Sequence, residues 1–358
     1  MKSLRLLLGL FTLHQLAPLL MAQGTATSPA VGVLSTDVPA GLSGAQFPIV
    51  PADALVSLVA GHADAGVVGK RVHEVVMMST STPASALTAG TSYYLEVTGG
   101  ILEGERFEVD EVRTAAATPG VLVLDLDDTN STRPNMAVGA LVGMKAAIRP
   151  HMTLARLQAR ITPALVGNNV ASQADGVLIF NATSAVTYYL RTDGVTWRKA
   201  GSTTDFSGLI IPPDQSIMLQ MRSGAKELRQ EGLVRANAFR INMKPGVQSA
   251  ATGFPESLSP VEFGATANIL APPQTTWVGS NQQSLADGIM VFDPAKGSFV
   301  TYYMRADGLT WRAAGSTAAM RPNARTLCGT VRFTPWKPPR CSSSSARGRS
   351  SGGTSKRK

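Results

Sequence analysis

Two groups, each of one tyrosine and two arginines, are the residues of this sequence whose types and spacing best suit ligand binding. The groups are Tyr189, Arg191 and Arg198, and Tyr303, Arg305 and Arg312. Guanidinium groups bind carboxylates and sulfates through paired hydrogen bonds, and they stack on aromatic rings. These residues therefore favour an anionic sugar or another carboxylate as the ligand. The alternative is an exposed sheet face on which arginine covers tyrosine and pairs with Asp175 or Asp287.

Acidic side chains form two further candidate sites. Asp125, Asp127, Asp128 and Asn130 supply oxygen ligands that suit Ca²⁺, but no glycine or distal glutamate completes a known loop pattern, which favours a turn at a strand end. Glu96, Glu103, Glu105 and Glu108 lie near Tyr93 and Tyr94 and contain enough carboxyl groups for a glycosidase pair. For these glutamates the competing interpretation is solvated strand edges and turns.

Other catalytic or metal chemistry has little support in the sequence. The histidines beyond the N-terminal segment, His62, His73 and His151, are far apart and show no metal-ligand spacing. No GxSxG motif is present, and GVVGKR lacks the spacing and the Ser/Thr of a phosphate-binding loop. The sequence therefore predicts no catalytic residue, no metal site and no cofactor.

Both tyrosine and arginine groups lie in a stretch that occurs twice. Residues Thr187–Thr203 read TYYLRTDGVTWRKAGST, and Thr301–Thr317 read TYYMRADGLTWRAAGST, with 13 of 17 positions identical. Upstream, VGNNVASQADGVLIF resembles VGSNQQSLADGIMVF in the same way. The repeat unit therefore spans residues 166–203 and 278–317.

Each repeat predicts a β-hairpin. Asp-Gly between β-compatible flanks favours a two-residue type I′ turn, here centred on Asp193-Gly194 and Asp307-Gly308. Alternation of side chains along the strands then divides the residues between two faces. The predicted inward residues are Tyr188, Leu190, Val195 and Trp197, and Tyr302, Met304, Leu309 and Trp311. The predicted outward residues are Tyr189, Arg191, Thr196 and Arg198, and Tyr303, Arg305, Thr310 and Arg312.

The rest of the chain predicts an all-β fold with two regions. Short alternating or apolar segments such as RFEVDEV and VLVLDLDD are separated by Gly, Pro and Asp/Asn turns. They indicate a small β-barrel or sandwich over residues 28–150. A second β-rich region with the repeat follows over residues 151–323. Its opening stretch, HMTLARLQARITPALVG, fits either one short helix or a strand with a loop.

The two ends of the chain differ in character from its body. Lys2, Arg5 and an interrupted apolar run predict a secretory signal peptide over residues 1–22 and hence export. The formal net charge is +9. Residues 330–358 hold eight basic residues and no acidic one, so without these and the signal the body has 23 basic and 24 acidic residues. A nearly neutral body argues against nucleic acid as a partner.

The segment 324–358 is a basic, low-complexity tail that contains both cysteines, Cys328 and Cys341. Two hypotheses account for it. It is either a frameshifted end that replaced the last strands of the second repeat, or a true basic tail that adheres to anionic polymers or lipids. A Cys328–Cys341 disulfide is compatible with the sequence but is not required.

The sequence also resembles a paralogous group of uncharacterised exported proteins of Verrucomicrobia and related bacteria. The resemblance rests on TSYYLEVTGGILEGERFEVDEV, on IRPHMTLARL and on the ADG…YY…DG.TWR units, and it covers about residues 31–317. It implies a signal peptide and a β-rich body without an established activity. The C-terminus departs from it, because such proteins look as if they should finish in further strands.

These observations predict a non-enzymatic protein of the periplasm, cell surface or extracellular space, with no membrane span once the signal is removed. Structural or adhesive work is the leading function, with envelope or extracellular polysaccharide or other envelope proteins as partners. A carbohydrate-binding module for anionic polysaccharide is the second hypothesis. A glycan hydrolase that uses the acidic residues is the third.

Overall fold

A computed structural model of the chain describes residues 30–317, apart from 79–81, 119, 181–183, 242–247, 257, 261, 264, 266–276 and 294–295. The predicted signal peptide, both cysteines and the basic tail lie outside the described residues. The predictions made for those segments therefore stay predictions.

β-Strands are the dominant regular structure of the described residues, which confirms the predicted all-β class. The strands are β1 (Val31–Val38), β2 (Gly41–Ala45), β3 (Ile49–Val50), β4 (Leu55–Asp64), β5 (Val72–Met77), β6 (Tyr93–Gly99), β7 (Arg106–Val109), β8 (Val121–Asp125), β9 (Lys145–Pro150), β10 (Met152–Thr153), β11 (Ile161–Thr162), β12 (Gly176–Phe180), β13 (Ala185–Leu190), β14 (Trp197–Lys199), β15 (Ile210–Ile211), β16 (Ile217–Met221), β17 (Lys226–Val234), β18 (Gly288–Asp293), β19 (Ser298–Met304) and β20 (Trp311–Ala313). The helices are α1 (Pro83–Ala86), α2 (Glu111–Ala116), α3 (Leu154–Gln158) and a 3₁₀ turn at Gln283–Leu285. In this part of the chain no helix has the length and apolar character needed to cross a membrane.

Six strands close into a barrel in the order β4-β5-β8-β7-β6-β9, and each neighbouring pair is antiparallel. Successive side chains of a strand point to opposite faces of a sheet. Tyr93, Leu95 and Val97 of β6 and Phe107 of β7 accordingly belong to the barrel core. Of the two architectures that the sequence left open for this region, the structure has the barrel.

The strands that precede the barrel belong to other sheets. β1 and β3 pair with β17, and β2 pairs with β16. Their inward side chains, including Val38, Ala45 and Phe47, pack in the core of the second region. The expected N-terminal unit of residues 28–150 is thus divided, because the apolar faces of residues 31–50 are buried by strands that come much later in the chain.

The second region contains a five-stranded sheet in the order β14-β13-β12-β16-β2. Trp197, Leu190 and Leu219 are fully buried in its core. The stretch HMTLARLQARITPALVG, which the sequence assigned to either a helix or a strand, contains both. Helix α3 begins directly after strand β10. The hydroxyl of Thr153 caps this helix by accepting the N–H of Arg156 at 3.3 Å.

The second copy of the repeat forms a separate three-stranded sheet in the order β18-β19-β20. Its small core contains Met304 and Trp311, and the ring of Trp277 packs edge-on against that of Trp311 with 5.5 Å between centroids. Phe299 of this sheet packs edge-on against Phe180 of the first copy at 5.8 Å. The two copies are therefore in contact.

Buried ion pairs join the outer face of the barrel to the second region. Glu96 of β6 is 0 % exposed and binds the guanidinium groups of Arg149 in β9 and Arg235 after β17. Asn237 Nδ2 donates to Glu96 Oε1 at 2.8 Å, and Arg149 Nε donates to Asp53 Oδ1 at 2.6 Å. A buried carboxylate requires such compensation. Glu96 therefore ties β6, β9 and the chain after β17 to one another.

Arg106 of β7 makes a second contact of this kind. Its side chain is 2 % exposed, lies 2.8 Å from Asp214 Oδ2 and donates to the carbonyl of Arg240 at 2.8 Å. The ring of Phe239 contacts the guanidinium carbons of both Arg106 and Arg235, which lie 4.6 and 4.4 Å from its centroid. Cation–π contact adds to the ion pairs at this interface.

His62 and His73, which the sequence separates, lie together on the inner side of β4 and β5. His62 Nε2 is 2.8 Å from His73 Nδ1, and the N–H of Leu141 donates to His62 Nδ1 at 3.3 Å. Because Nδ1 of His62 accepts, its Nε2 carries the proton and donates to His73. Burial, followed by the neighbouring His73, lowers the pKa of His62 to about 4. Burial also lowers the pKa of His73, against an opposing effect of Asp64, so both imidazoles are neutral at pH 7.

We expect Glu96→Ala to lower the free energy of unfolding by about 3–5 kcal/mol, because it leaves the buried guanidinium of Arg235 without its ion-pair partner and that of Arg149 with Asp53 alone. Glu231→Ala is the control, since the Arg229–Glu231 pair is exposed and its loss costs less than about 1 kcal/mol. Urea unfolding followed by tryptophan fluorescence measures both. Equal losses for the two variants would contradict the role given to Glu96.

We also expect stability to fall as the pH drops from 6.5 towards 4. The pKa of His62 is lower in the folded than in the unfolded chain, so the unfolded chain binds more protons in this window. The contribution is on the order of 1–2 kcal/mol. Urea midpoints between pH 7 and pH 4 should fall less steeply for His62→Gln than for the wild type, whatever the stability of the variant at pH 7. Parallel profiles would exclude His62 as the group responsible.

Candidate functional site

The two repeat copies position their tyrosines and arginines with the same strand register. Tyr189 lies opposite Arg198 and Leu190 opposite Trp197, as predicted. In the second copy Tyr303 lies opposite Arg312, and Met304 lies opposite Trp311. On their other sides β13 and β19 pair with β12 and β18, again in matching registers. Each copy therefore presents the same three-stranded unit.

An aspartate holds the start of each unit. Asp175 Oδ2 accepts the N–H of Val166 at 2.8 Å, while the N–H of Asp175 donates to the carbonyl of Val166 at 2.9 Å. Asp287 and Val278 make the same two bonds at 2.6 and 2.8 Å. This reciprocal pair explains the aspartate of the repeated ADG sequence. It closes the loop before the first strand of the unit.

A tryptophan anchors the inward face of each hairpin. Trp197 is fully buried, and its Nε1 donates to Gln158 Oε1 of α3 at 2.9 Å. Trp311 is 2 % exposed, and its Nε1 donates to the carbonyl of Ala265 at 3.2 Å. Because a buried indole N–H needs an acceptor, these bonds fix the orientation of both rings.

Two residues predicted to face inward do not. Val195 is 67 % exposed and Leu309 is 60 % exposed. Both lie in the connection between the strands, where the alternation of the strands no longer applies. The prediction was therefore wrong at these two positions, whereas Leu190, Met304 and the tryptophans are buried as expected.

The turn itself differs from the predicted one. The N–H of Arg191 donates to the carbonyl of Thr196 at 2.9 Å, and the N–H of Gly194 donates to the carbonyl of Arg191 at 2.9 Å. Four residues, Thr192–Val195, therefore connect the strands instead of two. Gly194 has a φ of +72°, which suits a glycine in this connection.

The side chain of Asp193 accounts for the longer turn. Its Oδ1 accepts the backbone N–H groups of Val195 at 3.0 Å and Thr196 at 2.8 Å. Such side-chain bonds compete with a two-residue backbone turn. Hydrogen bonds from Thr196 are the main reason why the pKa of Asp193 falls to about 2. Asp307 makes the same bonds to Leu309 and Thr310 in the second copy.

The outward face is less exposed than the sequence predicted. Tyr189 and Tyr303 are only 8 % and 7 % exposed, so their rings are not open to solvent as a stacking platform. The prediction of exposed tyrosines was therefore wrong. All four arginines are partly buried. What remains accessible on each hairpin is part of its guanidinium groups.

The arginines do not pair with the aspartates that the sequence suggested. Asp175 Oδ1 accepts the N–H groups of Arg222 at 2.7 Å and Ser223 at 3.0 Å, and Lys226 Nζ lies 3.8 Å from Oδ2. Among the described residues no carboxylate forms an ion pair with Arg191 or Arg198. Their Nε atoms are buried and lack a hydrogen-bond partner in the same part of the chain.

The second copy lacks ion pairs in the same way but has three added bonds, one of them from Arg305 Nε to Asn281 Oδ1 at 3.4 Å. Arg305 donates from Nη2 to Asn281 Oδ1 at 3.1 Å, and Arg312 donates from Nη2 to the carbonyl of Thr317 at 3.1 Å. Both acceptors are neutral. Among the described residues no carboxylate therefore forms an ion pair with the arginines of either hairpin, although the turn aspartates Asp193 and Asp307 interact electrostatically with Arg191 and Arg305.

The candidate glutamates are structural in their contacts, and the expectation of solvated glutamates was wrong for three of them. Glu96, Glu105 and Glu108 are 0 %, 5 % and 7 % exposed. Glu105 lies within 3.5 Å of the guanidinium nitrogens of Arg133 and Arg240. Burial raises the pKa of Glu108, whose Oε2 lies 2.8 Å from the ring Nε2 of His151, and that bond opposes the shift.

The other predicted acidic cluster follows strand β8. Asp125 ends this strand, and its Oδ1 accepts the N–H of Asp127 at 3.0 Å. Asp127 forms an ion pair with Arg71 at 2.6 Å, and Asp128 Oδ1 accepts the N–H of Asn130 at 2.8 Å. The oxygens are thus used within a turn. The described residues contain no group of three or more His, Cys, Asp or Glu side chains arranged to hold a metal ion.

A cleft that the sequence did not indicate lies beside the buried Glu96. Its charged lining comes from Asp53, Glu103, Lys145, Arg149 and Arg235, and its volume is about 300 Å³. Positive and negative side chains both line it, so its charge selects no one class of ligand. The residues come from four separate segments, which explains why sequence spacing gave no signal.

Comparisons with protein-family models, with curated proteins and with solved structures found no match to this chain. The resemblance to exported bacterial proteins stays a prediction. The functional argument therefore depends on the contacts described above.

We expect Asp175→Ala to destabilise the fold by about 3 kcal/mol or more, because several buried donors lose their acceptor. Asp175 is 0 % exposed. Asp287→Ala is the matched variant, since Asp287 occupies the same place in the second copy but is exposed, and we expect a loss below about 1 kcal/mol. Urea unfolding measures both, and a larger loss for Asp287→Ala would contradict this account.

Proposed function

We propose that this protein is an exported, non-enzymatic protein with a structural or adhesive role in the envelope or extracellular matrix. Three of the four glutamates that a hydrolase would use, Glu96, Glu105 and Glu108, are bound to arginine or histidine side chains, and the carboxylate of Glu103 accepts the N–H of Ala238. The carboxylate of Glu96, for example, accepts hydrogen bonds from two guanidinium groups and one side-chain amide. These contacts support a scaffolding role more than acid–base chemistry, which needs a carboxyl group within reach of a substrate.

We further propose anionic polysaccharide as the ligand of this adhesive protein. The observation that carries the proposal is that both hairpins present a pair of partly buried arginines that form no ion pair with a carboxylate of the described residues. A partly desolvated guanidinium gains from a carboxylate or sulfate that reaches its free N–H groups. Because the unit occurs twice, one polymer chain is able to engage both copies, and the second contact then adds avidity.

The export of the protein remains a proposal that rests on the predicted signal peptide at residues 1–22. The periplasm, the cell surface and the extracellular space are all compatible with it. Binding of a polymer rather than a small sugar fits the shallow hairpin faces, because the buried tyrosine rings offer no enclosed stacking site. The hydrolase hypothesis gains no support from the described contacts.

Binding to uronic-acid and sulfated polysaccharides tests this proposal. We expect Arg191→Ala/Arg198→Ala to weaken binding by about tenfold or more, because each lost charged hydrogen bond is worth about 1.5–3 kcal/mol. Raising the salt concentration should weaken wild-type binding as well. The affinities are measured by titrating the full-length protein over glycans that are immobilised on a surface.

Arg113→Ala/Arg229→Ala is the matched control for this experiment. It removes the same charge from two exposed ion pairs outside the repeat, and it leaves the basic tail in place. We expect it to change the affinity less than about threefold, as for charges outside a binding site. Binding that is absent, or equally reduced in both double variants, would exclude the hairpin faces as the site.

A further inference from the structure

The two copies of the repeat differ at one edge of their sheets. In the first copy β12 lies between β13 and β16, so both of its edges are paired. In the second copy β18 pairs with β19 and is the edge of a three-stranded sheet among the described residues. The first copy therefore shows what a completed unit looks like.

The edge of β18 is open to solvent. Asp287 and Gly288 are exposed, whereas the matching Asp175 and Gly176 are buried. Met290 is 50 % exposed. Natural edge strands are commonly protected by lysine, proline or a bulge. The strand GIMVFD contains neither lysine nor proline, and its register with β19 is continuous.

Asp287 gives a second, independent observation. Asp175 accepts the N–H groups of Arg222 and Ser223, which directly follow β16, and also the hydroxyl of Ser223. In the described part of the chain the carboxylate of Asp287 accepts only the N–H of Val278. It therefore retains the acceptor capacity that the first copy uses to hold the end of a neighbouring strand.

The first copy also indicates the chemistry of the missing strand. β16 runs antiparallel to β12, with Gln220 opposite Gly176 and Leu219 opposite Val177. Ile217, Met218, Leu219 and Met221 are all buried, so four of the five residues of the strand are apolar and only Gln220 is partly exposed. A basic residue and a serine follow it. The matching core position in the second copy, Ile289, is only partly buried and still has room for such apolar neighbours.

We propose that the free edge of β18 binds an extended segment of another polypeptide, in the antiparallel position that β16 occupies beside β12. The segment is mostly apolar, like β16, and is followed by a basic and a hydroxyl residue, whose N–H groups bind Asp287. Addition of a strand to a sheet edge is an established mode of peptide recognition. The proposal goes beyond polysaccharide binding, and none of its contacts involves the four arginines.

Charge favours this partner over a second copy of the same edge. Asp287 forms no ion pair with a described residue, so a strand that brings a positive charge complements it. Antiparallel pairing of two β18 edges would instead place the Asp287 of each copy beside the end of the other copy's β18, where Lys296 is already paired with Asp293. Among the described residues, a second copy of this edge therefore offers Asp287 no unpaired positive charge.

A peptide with the sequence of residues 216–224, SIMLQMRSG, is the probe. Fluorescence anisotropy measures its binding to the full chain, and hydrogen exchange locates the bound strand. We expect binding together with slower exchange of the β18 amides. We expect Asp287→Asn to weaken binding about tenfold, because a charged acceptor becomes neutral. The same peptide with Leu219→Pro should bind much more weakly, since proline removes an N–H and distorts the strand.

Glu74→Gln is the matched control protein, because it removes one exposed negative charge from barrel strand β5, and its affinity should equal that of the wild type. No binding, protection of β12 instead of β18, or equal binding to Asp287→Asn would overturn the proposal. Light scattering could also show a stable dimer that the peptide does not dissociate. This result would overturn the proposal too, because a second copy would then be paired with the edge of β18. Circular dichroism verifies that each variant is folded.

Discussion

A buried carboxylate must be surrounded by hydrogen-bond donors, and Glu96 satisfies this requirement with groups from two parts of the chain. Arg149 belongs to the barrel, whereas Arg235 and Asn237 come from the segment after β17. The buried guanidinium groups need negative charge in turn, which Glu96 supplies to both and Asp53 supplies to Arg149 as well. The position of the barrel against the second region therefore depends on this set of contacts as well as on apolar packing.

The repeat shows how much of a unit is carried by its own sequence. Both copies reproduce the aspartate loop, the strand registers, the four-residue turn and the buried tryptophan. The surroundings differ, since Trp197 bonds to α3 and Trp311 bonds to Ala265. The local hydrogen bonds thus fix the shape of the hairpin, and neighbouring elements decide which of its surfaces are covered.

Much of the fold could be predicted from the sequence, because alternation, Asp-Gly turns and duplication are local signals. The all-β class and the pairing of Tyr189 with Arg198 follow from them, whereas the choice between a barrel and a sandwich stayed open. The turn type could not be predicted in this way, because the Asp193 carboxylate competes with the backbone for the same N–H groups. The sequence also did not predict the burial of Glu96 or Tyr189, or the pairing of β1 with a sheet outside the barrel. These features depend on partners that are far away in the chain. A charged strand residue appears solvated until its partner is known.

The pairing of β1 with β17 also constrains the order in which the chain is able to fold. Ser35 and Glu227 are 192 positions apart and yet are hydrogen-bonded across this pair. The barrel can close once residue 150 is available, but residues 31–38 must wait with an unpaired edge until β17 arrives. During synthesis this strand is thus open to wrong pairing until β17 has been made, which is the kind of exposure that chaperones reduce.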